Sequence, residues 1–271
     1  MPHTAALPPT FKQVMAATDR SLIGMWLCSG SPMVTEIAAG SGLDWLMIDG
    51  EHAPLSLETV QRQLQIAAAY RVTPVVRVPT NDKVLIKQYL DLGAQNLIVP
   101  MVNSAADAEA AVSALRYPPQ GVRGVGAALS RGARWNRVDN YLHRANDELV
   151  SLLVQIETAE AVANAAEIAA VDGVDGMFIG PNDLAASMGL IGQPSHPDVK
   201  QQMQQVIDVA RAHNMPVGIT EFNLNAAQEY VDAGLNFVLA GADVALLARS
   251  TEALATRFIA GGDTRPERAS Y

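Results

Sequence analysis

Asp49, Glu51, His52, Arg77, Glu157 and Asp183 each fall where an apolar run of this chain gives way to turn residues. Their types suit proton transfer, anion binding and the holding of a hard cation. The densest group is Asp49-Gly50-Glu51-His52, directly after Trp45-Leu46-Met47-Ile48 and before Ala53-Pro54. His52 is a candidate general base, since a neighbouring Asp49 carboxylate would fix the imidazole tautomer and raise its basicity. The same stretch also reads as a plain capped turn, with Asp49 capping the next segment and His52 bonding a backbone carbonyl. Arg77 closes the run Thr73-Pro74-Val75-Val76, where a guanidinium leaving water needs an anion. That anion is either a substrate carboxylate or enolate, or Asp49 or Glu51 in a structural salt bridge.

Glu157 and Asp183 invite a divalent metal if they converge. Mg²⁺ or Mn²⁺ takes one or two carboxylates and leaves its other positions to water and substrate oxygens. The alternative is that Glu157 caps a helix beginning at Thr158 and Asp183 one holding Leu184 to Met188. Zinc is not suggested, because no Cys or His cluster at ligand spacing accompanies these acids. Gly180-Pro181-Asn182 is a tight turn whose free N–H groups, at a helix start, could hold a substrate carboxylate, or it is an ordinary turn.

These residues share a site only if the runs before them are strands of one sheet. Strand-like runs occur at Ile23–Cys28, Asp44–Ile48, Thr73–Arg77, Asn96–Pro100, Ser151–Ile156, Asp175–Ile179, Pro216–Thr220 and Asn236–Ala240. Helical patterns separate them at Ser56–Tyr70, Lys83–Leu92, Ala105–Leu115, Thr158–Ala170, Val199–His213 and Leu224–Ala233. Gly40, Gly93 and Gly234 stand where left-handed helix ends are expected. Eight βα repeats in 271 residues predict one α/β domain, a (β/α)₈ TIM barrel, with a doubly wound open sheet as the alternative. A barrel would bring every strand's carboxyl end to one mouth. Residues 1–10 read as a mobile start, Phe11–Asp19 as a short amphipathic segment, and 117–148 as a long loop carrying Arg123, Arg131, Arg134, Trp135 and Arg137. Gly121 to Gly126 follows Tyr117-Pro118-Pro119 rather than a strand, so dinucleotide binding is not expected.

A net charge of −9 argues against a broad nucleic-acid or anionic-membrane surface. No stretch approaches the roughly 18 uninterrupted apolar residues of a membrane span. Cys28 stands alone, and Met1 to Thr10 lacks a signal pattern, so the cytoplasm is the expected compartment.

Asp49-Gly50-Glu51-His52-Ala53-Pro54, Val76-Arg77-Val78-Pro79, Tyr117-Pro118-Pro119-Gln120-Gly121-Val122-Arg123-Gly124, Gln155-Ile156-Glu157-Thr158 and Gly180-Pro181-Asn182-Asp183-Leu184 together resemble the HpcH/HpaI aldolase family, in order and in spacing. The similarity runs from about Ile23 to Arg249. It implies a class II pyruvate aldolase of aromatic catabolism that splits a 4-hydroxy-2-oxo acid into pyruvate and an aldehyde through a pyruvate enolate. It further implies a divalent cation (Mg²⁺ or Mn²⁺, with Co²⁺ as a further option) on Glu157 and Asp183, and Arg77 beside the enolate oxygen. His52 paired with Asp49 would move protons, Gln155 would orient substrate or water, and amides around Gly180 and Asn182 would hold the pyruvate carboxylate. Members are homo-oligomers, here expected as a trimer or hexamer, and Arg123, the Arg131 to Arg137 segment or the last helix would act across an interface. Lys83, Lys87 and Lys200 lie in helical patterns, leaving no strand-end lysine for a Schiff base. Competing readings are a 2-keto-3-deoxy sugar acid aldolase or other enolate-forming lyase on the same site, and a barrel that only binds an oxo acid.

Overall fold

The computed structural model describes residues 4–259. Its centre is a closed parallel barrel of β1 (Leu22–Leu27), β2 (Trp45–Asp49), β3 (Thr73–Arg77), β4 (Asn96–Val99), β5 (Ser151–Ile156), β6 (Gly176–Ile179), β7 (Val217–Thr220) and β8 (Phe237–Ala242), each paired with the next and β8 with β1. The open-sheet alternative is therefore excluded. Every expected strand is present, with ends shifted by two residues at most.

Side chains alternate along each strand, and this alternation makes two cores. Trp45 and Met47 of β2 point inward with Trp26, Val75, Ile98, Leu153, Phe178, Phe237 and Leu239, while Leu46 and Ile48 join the outer cluster packed against helices. The two-residue period then carries Asp49 inward at the end of β2, and likewise Arg77 after Val75 and Gln155 after Leu153. Pattern thus becomes placement: polar strand ends fall at the top of an apolar barrel. The floor is closed by the short helix Phe11–Ala16, whose Phe11 ring centroid lies 5.2 Å from that of Trp45 and 5.4 Å from that of Phe237.

Large inward rings need small neighbours. A Cβ on Gly218 would lie 2.2 Å from Phe237, and one on Gly24 2.5 Å from Trp45. Gly218→Ala is expected to cost about 3 kcal/mol through overpacking. A urea midpoint equal to that of the wild type would show that this interior can repack.

Helices Leu57–Ala67, Lys83–Asp91, Ala105–Leu115, Pro197–Ala212 and Leu224–Asp232 match the periodic segments, whereas the expected Thr158–Ala170 helix divides at Asn164 into Ala159–Ala163 and Ala165–Ala169. Gly93 and Gly234 take the left-handed conformation after their helices, at φ 96° and 79°. Gly40 does not; its φ is −88°. From residue 4 onward the chain start is held down: Ala5 and Leu7 pack on a satellite core built on Tyr117, Val138 and Tyr141, and Ala5 N–H donates to Arg137 O at 2.8 Å. No helix among the described residues is long and apolar enough to cross a membrane.

Candidate active site

Asp49, Arg77, Gln155 and Glu157 are each at most 5 % exposed, and together with Glu51, His52 and Asp183 they cluster at the carboxyl ends of the strands. Two clefts of about 290 and 240 Å³ lie elsewhere, beside the starts of β5 and β6 (Leu152, Asp175) and of β3 and β4 (Thr73, Asn96). Chemistry rather than hollow volume therefore marks the site.

Arg77 is clamped on both sides. Its Nε and Nη2 donate to Asp49 Oδ1 at 3.0 and 2.9 Å, and its Nη1 lies 3.1 Å from Glu51 Oε2. A guanidinium carries five N–H groups, so this clamp leaves two for a further anion. The structural salt bridge, one of the two alternatives in the sequence, is formed, and it leaves N–H groups that an anion could still engage.

The expected pairing of His52 with the Asp49 carboxylate is not formed. Asp49 Oδ1 already accepts from Arg77 and from the backbone N–H groups of Glu51 (3.0 Å) and His52 (3.2 Å). Asp49 therefore ties down its own turn and Arg77. The His52 side chain is largely exposed, and its nearest carboxylate oxygen is Glu51 Oε1, 4.0 Å from Nε2. Burial raises the pKa of Glu51, with Asp49 and Asp183 adding repulsion while Arg77 and His52 oppose it.

Glu157 is no helix cap, since the Thr158 hydroxyl accepts from Ala161 N–H at 3.0 Å and does that work. Instead Glu157 Oε1 accepts from Met101 N–H at 2.7 Å, and Oε2 accepts from the Gln155 side-chain amide. Burial, with the nearby Asp183 charge adding to it, pushes the Glu157 carboxyl up to about 7. Asp183 lies in the first turn of the helix Pro181–Ser187, exposed toward solvent. Close approach is possible because residue 180 is glycine: a Cβ there would sit 3.0 Å from Glu157 Oε2 and 3.1 Å from Gln155 Nε2.

A divalent cation fits this donor set. Asp49, Glu51, Glu157 and Asp183 against the one guanidinium of Arg77 leave three uncompensated negative charges when all are ionised. Gln155 Oε1 is buried with no hydrogen-bond donor, and Glu51 Oε2, also buried, has only its ion pair with Arg77 Nη1. No three Asp, Glu, His or Cys side chains among the described residues form a ready metal cage. Two carboxylates with open positions are what an oxygen-loving ion that also meets substrate requires.

One expected role is corrected by position, and a second is not met within one chain. The Gly180 N–H donates to Ile156 O at 3.1 Å within the barrel, and Pro181 has no N–H, so any free amides of this turn begin at Asn182. Arg123 lies at the other end of the barrel: the 117–148 stretch follows the helix Ala105–Leu115, not a strand, and so emerges beside the strand starts. There the Arg123 guanidinium is buried, 4.5 Å from the Tyr117 ring centroid, with Nη2 3.3 Å from both Asp91 Oδ1 and Tyr141 Oη. Within one chain it touches nothing at the mouth.

Several contributors had no sequence signature. The Met101 N–H reaches Glu157 because Met101 holds φ 54°, a left-handed backbone at a non-glycine residue. Asp243 accepts from the N–H groups of Cys28 (2.9 Å) and Ser29 (3.0 Å), pinning the turn after β1 to the end of β8. Burial first, then Asp49 and Asp243, push the Cys28 thiol up to about 12, so it stays protonated. Trp26 lies beneath Arg77, its ring centroid 4.2 Å from the guanidinium carbon.

An acid pair, a guanidinium and an imidazole at the mouth of a parallel barrel define an enzyme able to stabilise an enolate next to a bound cation, the frame of a class II lyase. The chain belongs to the HpcH/HpaI aldolase/citrate lyase family, whose sequence model matches residues 22–250. It is 52% identical over 248 residues, 92% of this chain and 94% of the other, to a 4-hydroxy-2-oxo-heptane-1,7-dioate aldolase of Salmonella heidelberg (strain SL476). Among solved structures it is similar to an HpcH/HpaI aldolase/citrate lyase family protein from Burkholderia cenocepacia J2315, with 39% identity, TM-score 0.87 and coverage of 92% of this chain and 98% of that one. An HpcH/HpaI aldolase from Desulfitobacterium hafniense DCB-2 aligns at 29% identity and TM-score 0.85, over 95% of this chain and all of that one.

Proposed function

We propose that this chain is a divalent-metal-dependent aldolase that reversibly cleaves a 4-hydroxy-2-oxo acid, with 4-hydroxy-2-oxoheptanedioate as its first substrate, into pyruvate and an aldehyde. The observation that carries the reading is the buried Glu157 carboxylate, short of positive charge beside Asp183, at the same mouth as an arginine with N–H groups to spare. The 52% identity to an aldolase of that name supports the substrate.

Cleavage removes the proton of the C4 hydroxyl, breaks the C3–C4 bond and leaves its electron pair as a pyruvate enolate; C3 then takes a proton. A cation on Glu157 and Asp183 would act as a Lewis acid toward the growing negative charge. Arg77 directs its remaining N–H groups at the same charge, which the neutral keto acid lacks, and so favours the transition state over the ground state. His52, exposed at the rim, exchanges the hydroxyl proton. Gln155 fixes Glu157 through its amide N–H and offers Oε1 to a water or substrate hydroxyl. Mg²⁺ and Mn²⁺ suit the all-oxygen set, with Co²⁺ as a further activator. The exposed Leu246, Leu247, Leu254 and Phe258 of the helix Asp243–Phe258 support association into an oligomer, and sedimentation would test whether it is the expected trimer or hexamer. Breakdown of aromatic acids is the fitting metabolic setting.

The decisive experiment measures pyruvate release from 4-hydroxy-2-oxoheptanedioate and from a 2-keto-3-deoxy sugar acid, after chelation and with Mg²⁺ or Mn²⁺ restored. Release that stops with chelator and returns with metal is expected, faster from the first substrate; preference for the second would move the assignment to a sugar-acid aldolase. His52→Ala is expected to lower kcat about 100-fold with a much smaller change in KM. A loss confined to KM would make His52 a binding group.

A further inference from the structure

Arg77 lies on an aromatic floor, and that floor has its own anchor. The guanidinium carbon is 4.2 Å from the Trp26 ring centroid, within range of cation–π attraction. Asp49 and Glu51 hold the edges of the guanidinium, but edge contacts leave its tilt free; the ring face beneath it sets the plane. Trp26 in turn meets Phe178 edge-on, with centroids 6.2 Å apart, a contact with little directional preference. The β1–β8 register also shifts between Gly24 and Trp26, so the ladder at this point is irregular. The directional contact on the ring is its N–H, which donates past β8 to Thr220 Oγ1 at 3.2 Å, at the end of β7.

We propose that Thr220 is a positioning residue for Arg77, acting through Trp26: its hydroxyl holds the indole flat beneath the guanidinium and so sets the plane in which Arg77 meets the enolate. The inference rests on the role given to Arg77 above. Valine at 220 keeps the shape of threonine while leaving a half-buried indole N–H without its acceptor, and serine keeps the acceptor.

Thr220→Val is expected to lower kcat about fivefold, the size of one neutral hydrogen bond, with KM nearly unchanged. Thr220→Ser should restore the wild-type rate. In a Trp26→Phe background, where no N–H remains, Thr220→Val should have no further effect, so the two changes are non-additive. A readout independent of turnover is the Trp26 indole N–H resonance in ¹⁵N-labelled protein, identified by its absence in Trp26→Phe. It should move, and exchange faster with solvent, in Thr220→Val but not in Thr220→Ser. Arg77→Lys serves as the reference. Full activity in Arg77→Lys would remove the premise about Arg77 itself. Impaired Arg77→Lys alongside wild-type kcat in Thr220→Val, or an unmoved indole resonance, would overturn the positioning role alone.

Discussion

Glu157→Gln is expected to lower metal-dependent pyruvate release about 1,000-fold, because it removes one of the two carboxylates that would hold the cation and with it the Lewis acid at the enolate oxygen. The same substitution should make the chelated protein more stable at alkaline pH. Burial, aided by Asp183, raises the Glu157 carboxyl from 4.5 to about 7 in the fold. The sign follows from linkage: when the folded pKa lies above the unfolded one, stability present below about 4.5 is lost as pH rises to about 7 and stays lost above it. Between pH 5 and pH 8 the chelated wild type should therefore lose on the order of 2 kcal/mol relative to Glu157→Gln, whose side chain carries no charge. Added Mg²⁺ should reverse that loss in the wild type and barely move the variant, since an ion that binds only the folded state stabilises by mass action. Urea midpoints at pH 5.5 and pH 8, with chelator and with Mg²⁺, measure all of this. Equal stabilisation of both proteins by Mg²⁺, or undiminished turnover in Glu157→Gln, would sink the assignment of Glu157 to the metal.

The barrel was legible because each strand is an apolar run stopped by turn formers, and eight such runs alternating with helical patterns admit few architectures. Their position at the ends of these runs put Asp49, Arg77 and Glu157 at the mouth, where the structure has them. What escaped the sequence depends on three-dimensional competition for donors and acceptors. The His52–Asp49 pair was plausible at a spacing of three, yet Arg77 and two backbone amides reach Asp49 Oδ1 first. Gly180 was expected to offer its amide, but that N–H completes the barrel with Ile156 O. Arg123 belongs to one of the family-like motifs, but the direction of the chain leaving Leu115 sends its loop to the opposite end of its own barrel, so within one chain it does not reach the mouth. The Met101 amide and the Trp26 floor had no signal at all, because a backbone N–H and a buried ring look the same in sequence whatever they face.

Arg77→Lys should separate charge from geometry most sharply. Lysine keeps the positive charge but replaces a planar fork of five donors with a single ammonium. In the wild type three donor groups are engaged, Nε and Nη2 by Asp49 and Nη1 by Glu51, while the guanidinium face rests on Trp26. One ammonium cannot hold Asp49, Glu51 and an enolate oxygen together. The expected result is a fall in kcat of about 1,000-fold with substrate affinity less affected, since the lost contact strengthens as the enolate forms. Stability should fall by about 2 kcal/mol, because Asp49 and Glu51 are left in a half-dry mouth with incomplete pairing. The origin of that loss is open to a direct check. Arg77→Ala should be worse still, and adding Asp49→Asn to it should recover part of the stability, because the second change removes a buried charge that the first left unpaired. No recovery in the double variant would mean that Asp49 is held by its backbone donors alone. A kcat in Arg77→Lys within tenfold of the wild type would show that charge suffices and that the fork is structural.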